Sequence, residues 1–284
     1  MMSTASGLRR AKGAAALPRR AAVAEARATT RHAGRTFALA CRLLPRAVRD
    51  DVYLLYLVFR TLDDLVDDGH PDAAERVEAV AAWAQRRPGE ATHEVAVLDA
   101  LAARHPLPRS ALAEFCTGMR QDLARATFAT EADVDEYCFR VAGTVGVVMT
   151  AVLGARDVGR AVPAAAALGM AMQRTNILRD IDEDAADGRL YIAQEAVNRH
   201  GPPHPGRRAA LLREQIAYAD ELYDHGLAGV VELRRGGRAI AAAGAMYREI
   251  LREIERGGYG PEPGRTVVPR TRKLAVGGRA AWRG

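Results

Sequence analysis

Asn176-Ile177-Leu178-Arg179-Asp180-Ile181-Asp182-Glu183-Asp184 is the stretch on which the reading of this chain turns. On a helix, Asn176, Asp180 and Asp184 stand at i, i+4 and i+8 and share one face. Leu168, Met172 and Thr175 precede them at the same spacing, so the stripe begins apolar and turns polar as it proceeds through Asn176, Arg179 and Asp180. A second acidic segment, Thr61-Leu62-Asp63-Asp64-Leu65-Val66-Asp67-Asp68, repeats the arrangement. Asp63 and Asp67 are i and i+4, and their face continues back through Arg60 and Tyr56, alongside an apolar stripe of Val48, Val52, Leu55, Phe59, Leu62 and Val66. Like charges at that spacing destabilise an isolated helix, so each face calls for a compensating cation.

Working outward, the rest of the chain also reads as helical. Of its 284 residues 49% are hydrophobic but only 5% aromatic, which together with abundant Ala, Leu, Arg and Glu favours helix over sheet. Gly and Pro clusters at Pro45, Gly69, Pro88, Pro106, residues 154–163, Gly188, residues 201–206, Gly236 and residues 257–264 punctuate a series of helices. Val230, Leu233 and residues 239–254 suggest the closing ones, and strand-type alternation is essentially absent. The expected fold class is all-α. A single helical domain is expected over residues 31–275, with a flexible basic extension at 1–30 and a disordered tail at 276–284.

The net charge of +6 suits an anionic partner. Nucleic acid is not that partner: the arginines are scattered and no motif with interleaved aromatics is present. Cys41, Cys116 and Cys138 are widely spaced and read as reduced, mostly buried thiols of a cytoplasmic protein. The N-terminal stretch lacks a continuous apolar core of signal type, and no run reaches transmembrane length. The chain is expected to be soluble or peripheral to a membrane.

The two acidic faces suggest a particular chemistry. Mg²⁺ takes octahedral oxygen ligands and typically binds through one or two carboxylates plus substrate phosphates. Two facing carboxylate helices could hold several Mg²⁺ ions, or Mn²⁺ in their place, around a diphosphate, and neutralise its charge as it departs. Arg60, Arg179 and Arg189 would add charge-assisted hydrogen bonds to the same phosphates, and the apolar remainder of the bundle would shelter an allylic cation from water. Either acidic run alone reads slightly better as a solvated helix end, since short acidic runs are common. Two such runs mid-chain, each with arginine beside it, favour the diphosphate site.

At these segments the chain resembles the phytoene/squalene synthase family of head-to-head prenyltransferases. Asp63-Asp64-Leu65-Val66-Asp67 is similar to its first Asp-rich motif, and residues 176–184, continuing to Gly188-Arg189-Leu190-Tyr191-Ile192, to its second. Arg35-Thr36-Phe37 with Arg42-Leu43-Leu44-Pro45, then residues 137–146, then Met246-Tyr247-Arg248-Glu249-Ile250-Leu251, and finally Arg272-Lys273-Leu274 extend the likeness in order. The resemblance implies an isoprenoid-synthase-type helical bundle with a central cavity between the two Asp-rich helices. It implies that Asp63, Asp67, Asp180 and Asp184 act through Mg²⁺ with Asn176 joining the second cluster, and that Tyr56, Arg60, Arg179 and Arg189 serve the diphosphates. Phe37, Tyr137, Val141, Ala142, Gly146, Gln173 and Tyr247 would line the cavity where prenyl chains meet, with Tyr137 among the catalytic residues. Tyr137 and Tyr247 could steady a carbocation through their ring faces, although half-buried core tyrosine is the commoner fate. Gly143 and Gly146 could admit a long ligand or simply let two helices pack closely.

Three features depart from the family pattern: Arg174 in place of an apolar residue, Asp182 in place of a glycine, and Gly260-Pro261-Glu262-Pro263-Gly264 in place of an apolar stretch. Arg174 would either alter a pocket wall or face solvent. Cys41, one turn beyond Phe37, is smaller than an aromatic and would let the cavity run deeper. That favours geranylgeranyl diphosphate and phytoene over farnesyl diphosphate and a squalene, dehydrosqualene or hydroxysqualene product. NADPH would be needed only for a reduced product, and no GxGxxG motif is present. The remaining alternatives are a terpene cyclase ionising one prenyl diphosphate and, outside enzymes, a basic helical scaffold for anionic partners. Peripheral membrane contact suits so apolar a product.

Overall fold

The computed structural model describes residues 19–33 and 35–283. Its order is α1 (Arg19–Ala33), α2 (Arg35–Cys41), α3 (Arg46–Asp67), α4 (Ala73–Ala84), α5 (His93–Ala102), α6 (Arg109–Leu123) and α7 (Glu131–Cys138). A π-helical turn (Phe139–Gly143) leads into α8 (Thr144–Leu153), α9 (Val158–Arg179), α10 (Ile181–Ala186), α11 (Gln194–His200) and α12 (Ala209–Ala228). A 3₁₀ turn (Gly229–Glu232), α13 (Gly237–Arg256) and α14 (Arg270–Arg283) complete it. Among the described residues the only β-type pairing is one isolated bridge between Ala155 and Leu233.

The helices form where the spacing of apolar residues places them. In α3 the predicted stripe of Val48, Val52, Leu55, Phe59, Leu62 and Val66 is wholly buried, and each such side chain contributes about 1.5–3 kcal/mol by leaving water. Thr130 starts α7 with a reciprocal cap: its hydroxyl accepts the Asp133 N–H at 3.2 Å, while the Asp133 carboxylate accepts the Thr130 N–H at 2.8 Å.

Two large apolar cores result, with a small third cluster of Ala40, Ala242, Ala243 and Met246. One joins α1, α3, α4, α5, α6 and α8, with Leu55, Leu62, Leu98 and Leu112 at its centre. The other joins α7 and α9 to α13, with Ile177, Leu212, Tyr223 and Leu251. Val141 and Ile240 pack against both, and between them lies an apolar cavity enclosing about 860 Å³ counting its mouth. The wall of that cavity is drawn tight by glycine. A Cβ on Gly146 would lie 2.2 Å from the Ala165 carbonyl oxygen, and one on Gly169 the same distance from that of Ala142, so α8 and α9 touch backbone to backbone. Close packing thus accounts for Gly146, which lines the cavity as well.

Four expectations need correction. The basic extension expected at 1–30 is, from Arg19 onward, the helix α1, because Ala22, Val23 and Ala26 bury against the first core; residues 1–18 lie outside the described residues. The tail expected to be disordered continues as α14 to Arg283, with Gly277 allowing it to approach within contact of Met246 on α13. Pro163, read as part of a break, sits inside α9 near its start, where it removes a single helical hydrogen bond. The second acidic segment is not one straight helix: Asp180, at φ −102° and ψ 9°, ends α9 and begins α10. The Asp180 N–H still donates to Asn176 O and the Asp184 N–H to Asp180 O, both at 2.9 Å, so the three side chains stay on one side of the bend.

Candidate active site

The acidic ends of α3 and of the α9–α10 bend face each other. Arg189 crosses between them, its Nη1 lying 3.2 Å from Asp67 Oδ1 and 3.2 Å from the Tyr191 hydroxyl. Arg60 holds Asp63 at 2.8 Å and also pairs with Asp64. Arg179 donates from Nε to Asp180 Oδ1 at 2.8 Å, and Arg265 adds a second cation 3.0 Å from the same oxygen. The acidic run of α3 is indeed a helix end, where the dipole opposes it, and Arg60 and Arg189 offset the charge.

The cations do not neutralise the site fully. Burial and the neighbouring Asp67 push the Asp63 carboxyl up to about 7, although 42% of the side chain is reachable from the cleft. Burial and Asp180 do the same for Asp184, also to about 7, and Asp67 contributes to that shift, which places the two segments within electrostatic reach. Asn176 donates through Nδ2 to Gln173 Oε1 at 3.2 Å, while its own buried Oδ1 has no partner. Surplus carboxylate charge and an orphaned amide oxygen fit Mg²⁺, which takes oxygen ligands only. Among the described residues no three His, Cys, Asp or Glu side chains stand close enough to grip an ion alone. An ion held here by one or two carboxylates would take the rest of its shell from water or from a ligand's oxygens.

Below Arg189 lies a carboxylate that the sequence reading missed. Asp122, at the end of α6, accepts the Tyr137 hydroxyl at 3.0 and 3.2 Å and the Tyr191 hydroxyl at 3.0 Å. Burial raises its carboxyl to about 6 against the pull of both hydroxyls. The signal was present but faint: Ala111, Phe115, Met119 and Asp122 form one buried stripe, and a charge at the end of such a stripe needs a reason. Tyr137 is flanked by Phe128 and Tyr191, with ring centroids 5.0 and 5.3 Å away. Its hydroxyl, rather than its ring face, is therefore what the fold holds in place.

Phe37 joins the polar and apolar parts. It stacks on Tyr56 at 4.9 Å, lines the apolar cavity with Val141, Ala142 and Gly146, and lines a polar cleft with His32, Arg179, Tyr247, Arg265 and Lys273. Arg265 and His32 gave no signal in the sequence, and Lys273 stood only within the Arg272-Lys273-Leu274 likeness. Tyr247 lines the polar cleft with Arg179 and is not among the residues of the apolar wall. Cys41 does not line the cavity; it packs in the first core, where burial raises its thiol to about 12. The far wall is built instead by Met149, Leu153, Ala161, Val230 and Leu233. Arg174 neither alters the pocket nor faces solvent. It is 3% exposed and bonds Asp135, Glu131 and Gln215, tying α9 to α7 and α12.

An all-helical fold with two facing acidic helix ends, arginines between them and a separate apolar cavity suits a protein that handles an anionic ligand with a long apolar group. The squalene/phytoene synthase family model matches residues 30–272. The chain is 33% identical over 277 residues to 15-cis-phytoene synthase of Synechococcus elongatus, covering 88% of this chain and 89% of that protein. It is 36% identical over 234 residues to phytoene synthase of Thermus thermophilus, covering 79% and 80%. A crystal structure of a dehydrosqualene synthase in complex with ligand superposes with a TM-score of 0.84 at 25% identity, covering 93% of this chain and 97% of that one. The chain belongs to the squalene/phytoene synthase family, and it is a prenyltransferase.

Proposed function

We propose that the chain condenses two molecules of geranylgeranyl diphosphate head to head, releasing both diphosphates and forming phytoene. The observation that carries this reading is Phe37, which lines both a cationic cleft and the apolar cavity and stacks on Tyr56, one helical turn before the Arg60 that pairs with Asp63. The similarity to proteins named phytoene synthase supports the choice of product. In the first half-reaction the C–O bond of one substrate breaks, and the double bond of the second attacks the allylic cation. A proton leaves and a cyclopropyl diphosphate forms. In the second, the remaining diphosphate departs, the cation rearranges and another proton is lost.

Asp63, Asp67, Asn176, Asp180 and Asp184 would hold Mg²⁺, whose chemistry is Lewis-acid stabilisation of the departing diphosphate. Arg60, Arg179, Arg189 and Arg265 supply donors aimed at the same oxygens. The wall from Val141 to Leu153 excludes water from the cation. Tyr137 and Tyr191, held on Asp122, place two hydroxyls beside Arg189, where they can orient the leaving group.

The test is incubation with geranylgeranyl or farnesyl diphosphate and Mg²⁺. A C40 hydrocarbon is expected, with loss of turnover in Asp63→Ala and Asp180→Ala. The superposition with a dehydrosqualene synthase gives farnesyl diphosphate a specific claim, and a C30 product would select it. A cyclic C20 product would replace coupling by cyclisation.

Contact with an anionic bilayer finds support in α14. That helix carries five basic and no acidic residues. Leu274 at 55% and Trp282 at 90% exposure lie on it, and Val267, just ahead of it, is 73% exposed. An apolar stripe flanked by cations is the pattern of a helix lying in a membrane interface. The continuous helix Glu131–Leu153, apolar and long enough to span a bilayer, is half buried in the protein and belongs to its core. Co-sedimentation with phosphatidylglycerol vesicles but not phosphatidylcholine vesicles is expected, and Trp282→Ser should weaken it. Equal binding to both vesicle types, or to neither, would remove this reading.

A further inference from the structure

Asp182 and the 260–264 segment, the two departures near the second acidic run, meet in space. Arg208, which precedes α12 and is 3% exposed, donates from Nη1 and Nη2 to the two oxygens of Asp182 at 2.6 and 2.8 Å. The same guanidinium reaches the Gly260 carbonyl at 3.2 Å and that of Glu262 at 3.4 Å. The Gly264 N–H closes the ring by donating to Asp182 Oδ2 at 2.9 Å. Gly260 adopts a φ of +68°, and a Cβ there would come within 2.5 Å of Arg208 Nη2, so glycine is what lets the loop lie on the guanidinium.

The residue that follows this loop is Arg265, which stands 3.0 Å from Asp180 and 3.5 Å from Glu183. A loop of two prolines and two glycines between these points has no core of its own to fix it. Left untied, it would carry an ordering cost each time Arg265 engaged a ligand.

We propose that the Asp182–Arg208 pair is a latch that holds residues 257–264 over the second acidic segment and thereby fixes the Arg265 guanidinium at the diphosphate site. Asp182 and Arg208 are positioning residues acting through Arg265. The inference deepens the diphosphate reading above and rests on it.

A double-mutant cycle on ligand affinity tests it, with inorganic pyrophosphate and Mg²⁺ as the probe and calorimetry as the measurement. Asp182→Asn keeps the shape but removes the charge, and it should weaken binding about tenfold, as should Arg265→Ala. The double variant should bind no more weakly than Arg265→Ala alone. In turnover, the loss in Asp182→Asn should fall on KM rather than kcat. Losses that multiply in the double variant would overturn the proposal, as would unchanged affinity in Asp182→Asn. Arg208→Lys, which retains charge but not the bidentate grip, reports the same latch where Arg208→Ala does not fold. Wild-type protein that binds pyrophosphate but turns over no prenyl diphosphate would sink the functional reading, and the binding cycle would still decide the latch.

Discussion

Asp122 accepts hydrogen bonds from the Tyr137 and Tyr191 hydroxyls on one carboxylate, and Tyr191 in turn meets Arg189, which reaches Asp67. Replacement by asparagine keeps the volume but removes the charge and puts an NH₂ donor where the second oxygen also accepts Tyr137, so the hold on the Tyr137 hydroxyl weakens. Asp122→Asn is expected to keep its helical circular dichroism and lose about 10²-fold in kcat, the size of effect seen when one oriented polar group is removed from a site. Arg174 is the opposite case, a residue whose charge holds helices together. Arg174→Met should cost about 1–3 kcal/mol in chemical denaturation, by leaving Glu131 and Gln215 short of a donor, with kcat/KM unchanged below the transition. The contrast marks what can be read from one sequence. Asp63, Asp67, Asn176, Asp180 and Asp184 were legible because spacing alone puts them on common faces. Asp122 and Arg265 were not, because each is a single residue whose partners come from distant segments. Cys41 was misplaced because helical spacing from Phe37 gives a shared face but not what that face meets.

At the scale of elements, the α8–α9 contact sets the cavity. Gly169→Ala would drive a Cβ to 2.2 Å from the Ala142 carbonyl oxygen. Since backbone has to move to admit it, a loss of about 1–3 kcal/mol is expected, read as a lower denaturation midpoint and accompanied by a fall in turnover as the cavity wall shifts. Helices with unbroken apolar stripes, α3 above all, were legible to within a residue or two. The ends were harder. α1 and α14 look like basic extensions because their exposed faces dominate a short sequence window, and only the packing of Ala22, Val23, Ala26 and Gly277 shows them to be parts of the fold.

For the whole molecule, acidity should couple to ligand. Asp63 and Asp184 titrate near 7 when folded, against about 4 in the unfolded chain. The folded protein therefore holds protons that the unfolded chain has already lost between those values, and stability falls as pH rises through that window. The ligand-free protein should melt lower at pH 8 than at pH 6, and Mg²⁺ with pyrophosphate should raise the midpoint more at pH 8, where the carboxylates are free to coordinate. A midpoint that climbs from pH 6 to pH 8 without ligand would count against the clustered carboxylates. The π-helical turn at Phe139–Gly143 bears on the molecule as a whole too. Such a turn accommodates one residue more than the α-helical path needs, and it separates Tyr137, aimed at Asp122, from Gly146, pressed on α9. Winding those five residues as plain α-helix instead would turn everything after them by about 100°. The small side would then swing away from α9 and a bulky one into it. The irregularity thus works as a phase adjuster, allowing one continuous rod to serve two neighbours that ask for different rotations.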